Sequence, residues 1–369
     1  MKRYLFTSES VTEGHPDKLC DLISDSILDA YLRQDPLSRV AVETFASKDL
    51  VVVAGQITSN GRVEIETIVR NTIKDIGYDD ATVGIDYRTC KVKINITKQS
   101  NDIAIGVNHG GAGDQGMMFG YACDETEEYM PFGAMIAHKL AKRLTDVRKE
   151  KILPFLKPDG KTQVTVEYEE DKVKRIDSIL ISTQHDEKVS LDELKKELTK
   201  QVIQKVIPKS YMDANTKIYI NPTGRFVIGG PLGDTGLTGR KIMVDTYGSY
   251  SRHGGGCFSG KDGTKVDRSA AYMLRHIAKN VVANGYAKKC EIQISYAIGK
   301  KEPLSFTINT FGTEKIEEKE LIEKIKNTFD LTPSSIMSYL ELTKPIYTKT
   351  TNYGHFGKQD LPWERIITF

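Results

Sequence analysis

A chain of 369 residues exceeds what one hydrophobic core usually serves, so length alone favours two or three domains. Hydrophobic residues at 39% and charged residues at 28% are ordinary for a soluble protein, and no apolar run nears the ~20 residues that span a bilayer or opens the chain as a signal peptide, so a cytoplasmic protein without membrane partners is expected. With 52 basic and 50 acidic residues the formal charge is +2, too small for a field that would attract nucleic acid, and any anion must be held by local clusters.

Apolar residues at Leu19, Leu22, Ile23, Ile27 and Tyr31 predict a helix over 16–32, with Pro16 suited to its first position. Two β-rich runs follow, 40–45 and 50–57, then a helix over 62–76 and a strand in which Val92, Ile94 and Ile96 alternate. The same order returns with a helix over 131–147, strands over 163–169 and 174–182, a helix over 190–207 that opens on the capping pair Ser190 and Glu193, and a strand over 216–220. A third round begins with a helix over 266–284, strands over 290–298 and 304–310, and a helix over 317–328. Adjacent strands joined by short loops suit antiparallel or mixed sheets with helices on one face, so the expected fold class is α+β in three similar domains. The boundaries read as 1–100, 112–228 and 229–369. Residues 98–111, within the long glycine-rich stretch 98–116, read as a mobile active-site loop.

Two segments carry the chemistry. In Gly14-His15-Pro16-Asp17-Lys18 a helix begins where opposite charges gather around unpaired N–H groups, a place for phosphate with a metal: Asp17 for Mg²⁺, Lys18 for positive potential, His15 as a hydrogen-bond donor. Asp17 as a plain helix-dipole residue and His15 as a surface residue is the competing reading. In Lys261-Asp262-Gly263-Thr264-Lys265-Val266-Asp267, and in Arg240-Lys241 before it, cations cluster beside glycines with Asp262 and Asp267 between them, as a site for several phosphates and a metal requires. Gly111-Ala112-Gly113-Asp114-Gln115-Gly116 fits GxGxxG literally, but a strand-like run follows it where a dinucleotide site needs a helix, and GxxxxGK[ST] is absent. Glu43 lies in the apolar run VAVETFAS, as an outward strand residue or, if buried, as a partner for a monovalent cation. Five widely spaced cysteines, Cys20, Cys90, Cys123, Cys257 and Cys290, form no zinc set.

The strings FTSESVTEGHPDK, GAGDQG, NPTGRFVIGGPLGDTGLTGRKIMVDTYG and RHGGGCFSGKDGTKVDRSAAYMLRHIAKN closely resemble the methionine adenosyltransferase, or S-adenosylmethionine synthetase, family over nearly the whole chain. That resemblance implies three α+β domains in a pseudo-threefold arrangement, and a reaction of L-methionine, ATP and water that gives S-adenosylmethionine, orthophosphate and pyrophosphate with Mg²⁺ and K⁺. It implies catalytic roles for His15, Lys161, Arg240 and Lys261. ATP contacts would come from these and from Asp159, Gly160, Arg225, Phe226, Asp234 and Lys241, with Asp114 beside the adenosine. Methionine would meet Gln56, Gln99, Asp234 and Lys265; metals would meet Asp17, Asp267 and, for K⁺, Glu43. Gln56 stands where the family usually has glutamate, and Cys257 where it usually has alanine. The family also implies a homodimer with shared active sites, commonly doubled to a homotetramer. A phosphotransferase to a small acceptor and a nucleotide-sensing module are the alternative readings, separated by product analysis.

Overall fold

The computed structural model describes residues 2–98 and 110–369. Three sheets organise them. Strands β2 (Arg39–Ser47) and β3 (Leu50–Thr58) pair antiparallel, β4 (Lys91–Thr97) joins β3 in parallel after a helical crossover, and the two-residue strand β9 (Gly236–Leu237) closes the other edge of β2, giving the order β4-β3-β2-β9. In the second sheet β6 (Leu156–Glu169) and β7 (Lys172–His185) pair antiparallel, β8 (Lys217–Ile220) joins β7 in parallel, and β1 (Arg3–Val11) takes the free edge of β6. The third sheet has the order β11-β10-β5, from Ser305–Asn309, Lys289–Tyr296 and Gly116–Cys123.

Each sheet therefore takes one edge strand from a distant stretch of sequence. The first borrows β9, the second β1, and the third β5, in a cyclic exchange.

Helices cover one face of each sheet. Helix α1 (Pro16–Gln34) packs on β2 and on α2 (Ile65–Ile76), α3 (Phe132–Lys149) on β6 and β1, and α5 (Val266–Ala283) on β5 and β10. Alternation in β2 sends Val40, Val42, Thr44 and Ala46 under α1, while Glu43 faces outward. One core joins Ile23, Val42, Val53 and Ile73 to Leu274 of α5 and Ile292 of the third sheet; a second holds Leu140, Val164, Ile179 and Leu198. Truncating a fully buried Ile such as Ile23 to alanine would cost about 2–5 kcal/mol. Leu5 and Tyr219 on the outer face of the second sheet and Met117 on that of the third are about half exposed.

The predicted helix over 190–207 divides. Helix α4 (Leu191–Leu198) is capped by Ser190, whose hydroxyl accepts from Glu193 N at 3.2 Å, and then widens into π-type turns over Thr199–Ile203, where the Thr199 hydroxyl bonds back to the Lys195 carbonyl at 2.8 Å. Strands β6 and β7 reach farther than their apolar runs, to Leu156 and His185, so Asp159, Gly160 and Lys161 lie within a strand. After helix α6 (Glu318–Thr328) the third round ends in another short helix, α7 (Pro333–Tyr339), with no closing strand among the described residues.

Candidate active site

Helix α1 starts at Pro16, whose missing N–H costs nothing at a first helical position, and His15 caps it: Nδ1 accepts from Asp17 N at 3.1 Å. That bond leaves the neutral imidazole proton on Nε2. Burial, and then the neighbouring Lys241 ammonium, depress the His15 pKa to about 3, so the ring is neutral near pH 7. Burial alone would raise Asp17, yet Lys241 Nζ at 2.6 Å and Leu237 N at 3.0 Å hold its carboxylate below the usual range. Arg240 Nε stands 3.8 Å from the same carboxylate.

Lys161 is exposed on β6 and near enough to bias the His15 ring electrostatically. Its neighbour Asp159 is buried, accepts from Gly230 N at 2.8 Å, and is pushed up to about 6 by burial. Asp234 is exposed four residues on, accepting from Thr235 N. Phe226 pairs through its backbone with His185 and packs near Gly229, next to the glycine that Asp159 holds, whereas exposed Arg225 pairs with Glu187 at 2.6 Å. Lys18 does not face this group. Its buried ammonium sits between Asp21 at 3.0 Å and Asp245 at 2.6 Å.

A second group forms farther along β2. Ala41 bridges Lys261, Val42 N donates to Gly260 O at 3.0 Å, and Asp262 accepts from Val40 N at 2.7 Å, so the KDGTK segment is stitched to the strand. Glu43, Gln56, Cys257 and Lys261 line one pocket of about 310 Å³. Lys261 Nζ pairs with Asp267 Oδ2 at 2.8 Å, and Lys265 with Asp262. Gly256 and Gly116 leave the room that Asp267 fills; a Cβ on Gly256 would lie 2.2 Å from its carboxyl carbon. Asp114 is exposed two residues before Gly116. Gln99 and most of the 98–111 loop lie outside the described residues. The strand β5 opens at Gly116, so the GxGxxG match precedes a strand.

Both groups hang on β2, the first through the pairing of Phe45 with Leu237 and the second through Ala41 with Lys261. Four residues at ~3.4 Å each set these two attachment points about 14 Å apart along the strand, while the loops themselves meet where Gly239, beside Arg240, packs against Cys257 of the Lys261 pocket. Each group offers cations beside a carboxylate: Arg240 and Lys241 with Asp17 in the first, Lys261 with Asp267 in the second.

Models of the N-terminal, central and C-terminal domains of S-adenosylmethionine synthetase match residues 3–101, 109–226 and 228–365 in turn. The chain belongs to the S-adenosylmethionine synthetase family. It is also similar to a curated S-adenosylmethionine synthase of Clostridium tetani (strain Massachusetts / E88), 57% identical over 380 residues that cover 99% of this chain and 97% of that protein. The synthetase family uses divalent and monovalent cations. Among the described residues no three His, Cys, Asp or Glu side chains converge as a ready-made metal cage. No described helix is long and apolar enough to cross a membrane.

Sequence reasoning missed the ion pairs behind the candidate site. Asp21, Asp25 and Asp245 are fully or almost fully buried and hold loops that carry Lys241 and Lys261. The signal was present as an aspartate at every fourth residue of α1, masked by the apolar stripe that shares the helix.

Proposed function

We infer that the chain is a methionine adenosyltransferase, which joins the sulfur of L-methionine to C5′ of ATP, expels the triphosphate, and then cleaves that triphosphate to orthophosphate and pyrophosphate. The match of all three family domains in order across the chain carries this reading. A neutral sulfur nucleophile needs no base, so catalysis rests on positioning and on meeting the negative charge that gathers on the leaving group.

The neutral His15 ring, with its proton on Nε2, is suited to donate to the ribosyl oxygen of the leaving triphosphate. Lys161, Arg240, Lys241 and Lys261 supply positive charge along the chain of phosphates, and Asp159, Gly160, Asp234, Arg225 and Phe226 border the nucleotide. Lys261 stands in the pocket that also holds Gln56, whose amide oxygen can accept from the methionine ammonium. Gln99 and Lys265 complete the methionine contacts in this reading, and Asp114 lies beside the adenosine.

Mg²⁺ is typically held by one or two carboxylates, with substrate phosphates and water supplying the rest, and single carboxylates set beside lysines fit that habit. Asp17 and Asp267 would hold it, and Glu43 would hold K⁺. When bound, such cations neutralise charge on the triphosphate. Half-exposed apolar side chains on the outer faces of two sheets, Leu5, Tyr219 and Met117, support a homodimer in which the His15 group of one copy meets the Lys261 group of the other. A homotetramer would be a dimer of these. The five cysteines, all free, suit a cytoplasmic setting.

Incubation with ATP and methionine tests the activity. The expected products are a sulfonium compound, orthophosphate and pyrophosphate; ADP as the main product would instead favour phosphoryl transfer.

A further inference from the structure

Helix α1 carries Asp17, Asp21, Asp25 and Asp29, one carboxylate in every four residues, so all four stand along one face. Asp17 is 2% exposed and the other three 0%. A buried carboxylate must be partnered, and each of these accepts a backbone N–H from a segment far away in sequence. Asp17 takes Leu237 at 3.0 Å, Asp21 takes Gly239 at 2.8 Å, Asp25 takes Gly260 at 2.9 Å, and Asp29 takes Tyr347 at 3.0 Å and Thr348 at 2.9 Å.

The middle two rungs share a geometry. Gly239 and Gly260 have φ of 84° and 79°, the left-handed region that favours glycine, and the residue after each is a cation assigned above to the triphosphate: Arg240, with Lys241 beyond it, and Lys261. We propose that Asp21 and Asp25 are positioning residues for adenosyl transfer, each pinning the glycine amide from which a substrate-facing cation projects. The ladder sets both cation-bearing turns against one rigid helix.

The charge of each of the two middle rungs is balanced by a buried cation. Lys18 bridges Asp21 at 3.0 Å and Asp245 at 2.6 Å, and Asp245 ends the short helix that follows Lys241, so the same lysine clamps the far side of the Arg240–Lys241 turn. Burial alone would depress Lys18, but the two carboxylates keep its ammonium protonated. Arg268 meets Asp25 at 2.7 and 3.1 Å and also binds the carbonyls of Phe258 and Lys261, gripping the second turn on both sides. Beside it, a Cβ on Gly260 would lie 1.9 Å from the Val42 carbonyl oxygen, so this turn has no slack against β2.

This inference rests on the reading that Arg240, Lys241 and Lys261 meet the triphosphate. Asp29 provides an internal control, because it is an equally buried carboxylate on the same helix face but holds a segment that carries none of the proposed ligands. With the full-length protein assayed below every variant's melting temperature, Asp21→Ala and Asp25→Ala should lower kcat about 10- to 100-fold, as displaced reacting groups do, while Asp29→Ala stays within about threefold. Asp21→Ala should leave the KM for methionine unchanged. Asp21→Asn retains an acceptor for Gly239 N and should recover most of the kcat lost in alanine. If the alanine variants do not fold, Asp21→Glu against Asp29→Glu decides, since the longer side chain keeps the charge for Lys18 but moves the acceptor, and kcat should fall at position 21 alone. Equal losses at 21, 25 and 29, or no recovery with asparagine, would overturn the positioning role while leaving the activity intact. A wild-type chain that forms no sulfonium product would refute the activity itself.

Discussion

Replacing His15 with alanine removes two separable things. The ring's Nδ1 caps α1 by accepting from Asp17 N at 3.1 Å, and its Nε2–H is the donor proposed for the leaving oxygen. Loss of an N-cap costs about 0.5–2 kcal/mol of stability, and loss of one well-placed charge-stabilising donor costs about 10²–10³ in kcat, equivalent to roughly 3–4 kcal/mol of barrier. Asparagine separates the two effects, because it caps helices well and carries its own N–H donors on a shorter side chain. His15→Ala should therefore show both a lower denaturant midpoint and a kcat reduced by at least about a hundredfold, whereas His15→Asn should regain the midpoint but only part of the kcat. Sulfonium formation at saturating ATP and methionine gives kcat, and urea unfolding gives the midpoint. If alanine lowers kcat less than about fivefold, or if asparagine restores kcat and stability in step, His15 acts as a cap alone and the donor role is wrong.

Gln56→Glu should lower the KM for methionine about three- to tenfold by adding a charge-assisted bond to the ammonium, with kcat little changed; an increase in KM would place the ammonium elsewhere. Mixing His15→Ala with Lys261→Met and allowing subunits to exchange should restore activity to about a quarter of wild type, the share of sites that random dimers leave intact, and no recovery would argue against a shared site. Gly260→Ala must move its turn off the Val42 carbonyl and adopt an unfavourable φ, so kcat should drop with Lys261, while a full-activity variant would show that the turn can yield. Burial depresses His138 and His276 to about 3 and 4 and His355 well below its ordinary 6.5, so these rings take up protons only on unfolding, and stability should fall as pH drops below about 6.5. The slope in His138→Asn should be smaller by about 1.4 kcal/mol per pH unit, and an unchanged slope would mean that His138 is already protonated in the fold.

Periodicity revealed the helices because their stripes are apolar: Leu19, Ile23 and Ile27 of α1 are fully buried, as are Val69 and Ile73 of α2. It did not reveal β1, where Ser8 and Ser10 take inward positions and bond to Gly248 O and His138, so burial there follows hydrogen bonding more than hydrophobicity. Nor did it reveal β9, two residues long and defined only by its partner β2. The candidate site residues were found through local charge and glycine patterns and through family resemblance. What those patterns cannot contain is distance: nothing near Lys18 in sequence announces that its ammonium belongs to Asp245. The same holds for Asp262, which reads as a metal-site carboxylate but holds Val40 N and Lys265.

The exchange of edge strands among the three sheets sets a timetable for synthesis. The edge of β2 stays unpaired until β9, at Gly236–Leu237, leaves the ribosome. That delay spans about 190 residues, or roughly 10–40 s at 5–20 residues per second. Throughout it the nascent chain presents an open strand edge, the feature most prone to pairing with a neighbouring polypeptide. Likewise β1, the first strand made, waits for β6 at residue 156 before it can join a sheet. The β1–β6 closure thus becomes possible before half of the chain has been translated, the β2–β9 closure after nearly two-thirds, and the pairing of β5 with β10 later still, so the long-range closures are spread through the second part of synthesis.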